Sequence, residues 1–223
     1  MDEVQLQKQQ VLALTSKTLW VCLLSFPNAL SSADNKTTAI IKHCDLKDIT
    51  VVGHSLGCLV ALTLAANHSP LVSKLVLFGP IKSPTQTGKD GAKARASATR
   101  IGGMAKIADI VIGNAFAANF LQSRTEIVGF AREMLCRQDP EGYALACESL
   151  ANSRDPEWSA IKAKTTIVSG SEDRVATPAV CAAIEQNLTN AEVEFVTLQG
   201  VGHWHMLEDL GRCKAVLIKS VEG

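Results

Sequence analysis

The sequence has no long apolar run, no excess of charge of one sign and no paired cysteine motif. Its 22 Lys and Arg balance 22 Asp and Glu, so no overall field favours nucleic acid or an anionic membrane. The apolar run at residues 19–24 is far too short to span a bilayer. The segment before it carries Asp2 and Glu3 and makes a poor signal-peptide start. We therefore predict a cytoplasmic protein without nucleic-acid or membrane partners.

The seven cysteines are odd in number, scattered, and free of any Cys-x-x-Cys pair. This usage is typical of free thiols in a reducing compartment and argues against a disulfide framework. The chain of 223 residues is 47% apolar and 20% charged, which is ordinary for a globular protein. A chain of this length fits one domain with a single sizeable core.

Strand and helix patterns alternate along the chain. Short apolar runs predict buried strands at residues 49–52, 74–78, 165–169 and 192–198. Helical patterns follow them at residues 58–66, 178–187 and 208–220, and a longer one covers residues 83–153. Because strands alternate with helices, we predict an α/β fold built on a parallel sheet. The long helical insertion is expected to form a lid over one end of that sheet.

This alternation divides the chain into three parts. Residues 33–80 and 160–223 form the predicted α/β core, and residues 81–159 form the helical lid. Residues 1–32 stay unassigned. Within the core, residues 33–46 are predicted to form the helix before the first clear strand.

Ser55 stands in a Gly-x-Ser-x-Gly motif at residues 53–57, between a predicted strand and a predicted helix. In that setting the serine occupies a sharp, strained turn that lifts its hydroxyl above the sheet. The glycines let neighbouring backbone approach without a Cβ clash. The backbone N–H of Leu56 can then point at a developing oxyanion. The alternative is a glycine-rich turn that carries an exposed serine without a catalytic role.

His203 is the predicted base for this serine, since a hydroxyl is a poor nucleophile until its proton is removed. It lies in a loop between the last predicted strand and the last helix, at the edge where open α/β sheets place their sites. The alternative is a solvated loop histidine. His205 forms a His-x-His pair with it, but no third ligand accompanies the pair. We therefore predict no metal or cofactor and expect His205 to be a loop or pocket residue.

Asp173 is the predicted acid that orients the base. It follows the strand at residues 165–169 and leads directly into a turn. Glu172, the adjacent carboxylate, is the alternative. The chain order Ser, Asp, His is the one expected for this arrangement of strands and helices and differs from that of other serine hydrolases. The stretch from Ser55 to Asp173 leaves room for the lid, and the stretch from Asp173 to His203 leaves room for one helix and one strand.

From about residue 45 to its end, the chain resembles the α/β-hydrolase superfamily. The matching motifs are Val-Val-Gly-His-Ser-Leu-Gly at 51–57, Leu-Val-Leu at 75–77, Gly-Ser-Glu-Asp at 170–173 and Gly-His-Trp at 202–204. The lid is similar to that of 3-oxoadipate enol-lactonases at Ala-Thr-Arg-Ile-Gly-Gly-Met-Ala (98–105), Arg-Glu-Met-Leu (132–135) and Asp-Pro-Glu-Gly-Tyr-Ala (139–144).

That resemblance implies hydrolysis of a small lactone carrying carboxylates, without a cofactor. It makes Arg100 and Arg132 candidates to face a substrate carboxylate, which favours bidentate guanidinium pairing. The alternative is that both arginines form surface or intra-lid ion pairs.

The amino-terminal part departs from the family pattern. Family members carry a His-Gly motif there that supplies a second oxyanion donor, and no His-Gly pair precedes Ser55. Only 47 residues precede Asp48, whereas one βαβ unit takes roughly 30 or more. The sequence thus indicates a shortened or alternatively spliced hydrolase that lacks the first strands. We expect one edge of the strand at 49–52 to be unpaired unless residues 1–32 supply a substitute.

Two classes of function follow. The first is an enzyme that hydrolyses a small carboxylic ester or lactone through an acyl-Ser55 intermediate. The second is a weakly active or inactive remnant that binds a small molecule. The intact set of Ser55, Asp173 and His203 favours the enzyme, and the shortened front half favours the remnant. The expected partner is a small ester or lactone, and no sequence feature indicates an oligomeric state.

Overall fold

The computed structural model describes residues 14–15, 18–20, 43 and 46–222. These residues form six strands in one sheet, whose spatial order follows the chain. The strands are β1 (Leu14–Thr15), β2 (Thr18–Trp20), β3 (Ile49–His54), β4 (Val72–Phe78), β5 (Lys164–Gly170) and β6 (Val193–Leu198). The β1–β2 pair is antiparallel, and every other neighbouring pair is parallel. The parallel α/β sheet predicted from the sequence is confirmed.

Helices cover the sheet on both faces and form the lid above it. Their bounds are α1 (Leu56–Asn67), α2 (Gln86–Ala115), α3 (Ala118–Ser123), α4 (Thr125–Cys136), α5 (Pro140–Ala151), α6 (Pro178–Asn187), α7 (His205–Glu208) and α8 (Leu210–Glu222). A single 3₁₀ turn, Trp158–Ala160, precedes β5. None of the helices within the described residues has the length and hydropathy needed to cross a membrane.

The central strands are apolar on both faces because each face has its own layer of helices. Successive side chains of a strand point to opposite faces. Val51 packs with buried residues of α1 and α6, whereas Val52 packs with buried residues of α8. The same division holds for Leu75 and Val76 on β4.

The lid consists of α2 to α5. Its longest helix, α2, is kinked at Gly103, where the backbone has φ 71° and ψ 178°. That conformation is essentially restricted to glycine. Helix α2 packs against α5 and α4. On the α4 side, a second apolar cluster includes Met104, Ile107, Phe116 and Leu135.

Two boundaries differ from the sequence prediction. The helix predicted over 208–220 is two helices, because Asp209 adopts a non-helical backbone and its side chain accepts a hydrogen bond from the N–H of Arg212. The carboxylate thus caps the start of α8. The helix predicted over 33–46 lies outside the described residues, apart from His43 and Leu46.

Two short strands lie within residues 1–32, which the sequence left unassigned. Strand β2 runs parallel to β3 and pairs with it over three positions, from Thr18 opposite Thr50 to Trp20 opposite Val52. The edge of β3 that was expected to be unpaired therefore has a partner. The described residues before β3 contribute only these two short strands, in keeping with the prediction that the first strands of a full hydrolase are lacking.

Candidate active site

Ser55 lies on a sharp turn between β3 and α1. Its backbone has φ 54° and ψ −118°, a left-handed conformation that costs a non-glycine residue on the order of 1–3 kcal/mol. The turn is held by a hydrogen bond from the Ser55 N–H to the carbonyl of Phe78, at 3.0 Å. A Cβ on Gly53 would lie 2.8 Å from the nitrogen of Cys58, so this position requires glycine. The strained turn predicted from the motif is present.

Ser55, His203 and Asp173 form a continuous chain of hydrogen bonds. The Asp173 carboxylate accepts a bond from Nδ1 of His203 at 2.8 Å. Nε2 of the same ring lies 2.8 Å from the Ser55 hydroxyl oxygen. A carboxylate on Nδ1 fixes the tautomer in which Nδ1 carries the proton, and this leaves Nε2 free to accept from the hydroxyl. The arrangement can remove the serine proton.

Asp173 and His203, the predicted acid and base, follow neighbouring parallel strands. Asp173 comes three residues after β5, and His203 five residues after β6, and the last residues of the two strands, Gly170 and Leu198, are register partners. The two loops also contact each other directly. A Cβ on Gly170 would overlap the carbonyl oxygens of Val201 and Gly202, so the histidine loop can approach only because residue 170 is glycine.

Asp173 is buried and ionised. Burial raises the pKa of its carboxyl, but the hydrogen bond from His203 and the N–H groups of Val175 and Ala176 outweigh this effect and hold the pKa below its usual value. Both N–H groups bond to Oδ1 at 2.8 Å, while Oδ2 faces the histidine. The carboxylate is therefore fixed in orientation.

Glu172, the alternative acid, points elsewhere. It is exposed, and its Oε2 accepts a hydrogen bond from the backbone N–H of Ala118 at 3.1 Å, at the start of α3. The structure thus brings Asp173 to His203 and ties Glu172 to the lid.

Gly79 is a residue of the candidate site that the sequence analysis did not identify. It follows β4 with φ 53°, and a Cβ there would lie 3.1 Å from both Oδ2 of Asp173 and Nδ1 of His203. Its N–H bonds to the carbonyl of Val168 at 2.8 Å. The glycine therefore lets the end of β4 close over the acid–base pair. Its position directly after a strand beside the serine strand was the available signal.

Two further histidines surround His203. Nε2 of His54 lies 2.7 Å from the carbonyl oxygen of His203, and the two ring centroids are 4.8 Å apart. His205 is fully buried as the first residue of α7, not in a loop, and its ring nitrogens have no partner among the described residues. Burial lowers the pKa of His54 to about 3 and that of His205 to about 4, so both are neutral.

No group of three or more His, Cys, Asp or Glu side chains able to hold a metal occurs in the part of the chain that the structure describes.

The lid reaches the loop that carries His203, residues 199–204, through the turn at residues 115–118, between α2 and α3, which we call the lid turn. The N–H of His203 bonds to the carbonyl of Ala115 at 2.6 Å. The Glu208 carboxylate bridges the two parts: Oε1 accepts from the N–H of Gly202 at 2.9 Å, and Oε2 from the N–H of Ala117 at 3.1 Å. Burial raises the pKa of Glu208 above its usual value. No sequence pattern predicted this bridge.

Leu56, the predicted oxyanion donor, is the first residue of α1. Its N–H belongs to the first turn, where backbone donors have no acceptor within the helix. These donors also lie at the positive end of the helix dipole. The N–H is therefore available to an anion beside Ser55.

Arg100 and Arg132 form ion pairs within the lid. Arg100 contacts both Glu141, at 2.8 Å, and Glu148, and Arg132 contacts Asp109 at 2.7 Å. Both arginines are exposed, and their guanidinium donors are engaged by these carboxylates. The structure favours the intra-lid alternative over a role in facing the substrate.

Sequence comparison finds hydrolases. The alpha/beta hydrolase family model matches residues 20–215. The 3-oxoadipate enol-lactonase 2 of Acinetobacter baylyi is 26% identical over 155 residues, which cover 69% of this chain and 57% of that protein. The probable lysophospholipase BODYGUARD 3 of Arabidopsis thaliana is 32% identical over 85 residues, 34% of this chain and 17% of that protein. The matched segments thus span less than two thirds of the length of these relatives.

Structural comparison finds the same fold. An esterase from Thermogutta terrifontis superposes with a TM-score of 0.80 at 20% identity, over 90% of this chain and 75% of that chain. The enol-lactonase from Burkholderia xenovorans LB400 superposes with a TM-score of 0.80 at 22% identity, over 90% and 76%.

Proposed function

Because the chain belongs to the alpha/beta hydrolase family, we propose that it hydrolyses small carboxylic esters or lactones with Ser55 as the nucleophile. The observation that carries this proposal is the unbroken chain of 2.8 Å hydrogen bonds from Ser55 through His203 to Asp173. A solvated histidine or a serine without a role would not require this alignment of three groups from three separate loops.

In the first half of the reaction, the Ser55 hydroxyl oxygen attacks the substrate carbonyl carbon. Nε2 of His203 takes the hydroxyl proton, and the ionised Asp173 stabilises the imidazolium that forms. The carbonyl oxygen becomes an oxyanion beside the start of α1, where the N–H of Leu56 is the proposed donor. When the bond to the leaving oxygen breaks, His203 returns its proton to that oxygen. The products are an alcohol and an acyl-serine.

In the second half, water takes the place of the alcohol. His203 removes a proton from the water as it attacks the acyl carbon, and then protonates the Ser55 oxygen as the ester bond breaks. For a lactone, the alcohol and the acid are two ends of one molecule. Two relatives named as enol-lactonases, one by sequence and one by structure, support a lactone as the substrate. We leave Arg100 and Arg132 out of this proposal because lid carboxylates occupy their donors.

The first test is labelling with a serine-reactive fluorophosphonate, followed by intact mass. We expect one adduct, located on Ser55, and turnover of p-nitrophenyl acetate by the unlabelled protein. Ser55→Ala should prevent labelling and lower the turnover by a factor of about 10⁶. Ser123→Ala, at an exposed serine of the lid, is the matched control and should behave as wild type.

The outcomes separate the two classes of function. An adduct that persists in Ser55→Ala, or equal turnover in that variant and wild type, would contradict Ser55 as the nucleophile. Labelling of Ser55 without turnover of any ester or lactone would support the remnant that binds a small molecule.

A further inference from the structure

Beyond the three residues that carry the proposed reaction, we propose that His54 is a positioning residue. Its side chain holds the loop that carries His203 by donating a hydrogen bond to the backbone carbonyl of that residue. This inference rests on the proposed function, because the position of His203 matters only if it acts on Ser55. The two residues are 149 apart in sequence, and Nε2 of His54 lies 2.7 Å from that carbonyl oxygen.

The direction and permanence of this bond follow from chemistry. A carbonyl oxygen only accepts hydrogen bonds, so Nε2 of His54 must carry the proton. Burial first, and the nearby His203 second, lower the pKa of His54 to about 3. His54 is thus a neutral donor throughout the pH range in which His203 could act as a base. Of the other groups around it, His205 is also neutral and Asp173 is ionised.

The bond complements a second one on the other side of His203. The N–H of His203 bonds to the carbonyl of Ala115 in the lid turn at 2.6 Å, while its carbonyl is held by His54. The peptide groups on both sides of the His203 Cα are therefore fixed. Fixing them restricts the backbone rotations that would carry the imidazole away from the serine.

His54 is well placed for this task because it directly precedes Ser55 at the end of β3. The nucleophile and the residue that holds the base are set by the same strand. Two connections then join this strand end to His203: the bond from the serine hydroxyl to Nε2, and the bond from His54 to the carbonyl. The His54 ring also packs on the His203 ring, with an interplanar angle of 40°. A packing role is thus the competing explanation.

Two substitutions separate donation from packing. His54→Gln places an amide N–H near the position of Nε2 but removes the ring. His54→Phe keeps a ring but removes the donor. We expect the Phe variant to lose about tenfold to a hundredfold in kcat for p-nitrophenyl acetate, with KM changed less than about twofold, because misplacement of a catalytic group by about 1 Å costs this much. The Gln variant should stay within about threefold of wild type.

The hydrogen-bonded Nδ1 proton of His203 gives a readout that does not depend on turnover. Its proton resonance should shift in the Phe variant and keep its wild-type position in the Gln variant, while both variants melt as wild type does. If the Phe variant does not fold, His54→Asn, whose shorter amide does not reach the carbonyl, takes its place.

Equal losses in the Gln and Phe variants, or full activity in the Phe variant, would overturn the positioning role. If wild type itself fails to react with the fluorophosphonate, the proposed function is wrong. In that case the positioning role in catalysis falls with it, and the His203 resonance shows only whether His54 holds the loop in place.

Discussion

The sheet and the lid owe their structure to different interactions. Strands β3 to β5 carry residues such as Val51, Leu75 and Ile167 that are fully shielded by helices. The faces of the lid that look outward carry ion pairs instead, such as those of Arg100 and Arg132. Burial of apolar surface stabilises a fold far more than exposed ion pairs, whose contribution is typically about 0–1 kcal/mol each. The ion pairs on the lid surface therefore add little to the stability that the sheet and the lid each gain from their buried apolar clusters.

The two regions meet at the lid turn, and there the contacts are made mainly by backbone groups. Ala115, Ala117 and Ala118 bond through their main chain to the His203 loop, to helix α7 and to the Asp173 loop, respectively. Phe116 anchors the turn, because its side chain is fully buried and its ring centroid lies 5.0 Å from that of Trp204. The lid is thus attached to the candidate site chiefly through its main chain and through one buried aromatic side chain.

The largest effect should come from breaking the site on the sheet side. Asp173→Asn presents an amide to Nδ1 of His203 and favours the wrong tautomer, so the rate of p-nitrophenyl acetate hydrolysis should fall by roughly 10⁴. Steady-state kinetics of the purified variant measure this loss. Glu172→Gln is the control, because its amide oxygen can still accept from Ala118. A larger loss in Glu172→Gln would identify Glu172 as the acid.

A smaller effect should come from weakening the bridge between the two regions. Glu208→Gln has the shape of the native residue, but its amide nitrogen must face one of the two N–H donors that the carboxylate accepts, from Gly202 and Ala117. We expect kcat to fall about tenfold to a hundredfold, since the loop next to His203 loses its tie to the lid. Wild-type kinetics in this variant would mean that the bridge does not position the loop.

Acid should destabilise the two regions in different pH windows. The folded chain keeps His54 and His205 neutral to about pH 3 and about pH 4, whereas the unfolded chain protonates them near 6.5. The unfolded state then binds more protons, and the free energy of unfolding falls as pH drops from about 6.5 to 4, by at most about 1.4 kcal/mol per pH unit for each histidine.

In the lid, hydrogen bonds from arginines lower the pKa of Asp109 and Glu141, so these ion pairs persist to more acidic pH. Urea titrations between pH 4 and 7 test the difference. His205→Phe should make the free energy of unfolding fall less steeply as the pH drops, and an unchanged slope would show that His205 does not contribute to it.

The smallest effect should come from the lid surface. Arg132→Gln removes an exposed ion pair with Asp109 and should leave the free energy of unfolding close to that of wild type, with unchanged turnover of a neutral ester. Chemical denaturation and kinetics measure both. The same variant also tests the discarded substrate role. A tenfold rise in KM confined to lactones that carry a carboxylate would show that Arg132 faces the substrate after all.

The structure brings together the three site residues that the sequence predicted, and each of them was recognisable from the residues beside it in the chain. Ser55 lies between two glycines after an apolar strand, and Asp173 and His203 each follow a strand that could be recognised by its composition. The parallel sheet followed from the same alternation of strands and helices. The order of the three residues along the chain then predicted that the ends of β3, β5 and β6 lie close together.

The residues that the sequence analysis missed acquire their role from distant parts of the chain. Glu208 bridges to the lid turn, which lies 91 residues away, and His54 reaches a carbonyl 149 residues away. Strand β2 was overlooked because three residues carry little pattern and its partner β3 lies far along the chain. The break at Asp209 was hidden by an apolar period that continues through it.

The division of the site among strands has a consequence for how the protein folds. Ser55 belongs to the unit β3–α1–β4, whereas Asp173 and His203 belong to β5 and β6, beyond the whole lid. Contacts between groups so distant in sequence form late, because closing the long intervening loop costs entropy before any contact rewards it. Helices and the first strand pair can form before the triad exists. The meeting of Ser55, Asp173 and His203 therefore indicates that the whole fold is complete, whereas helix content does not.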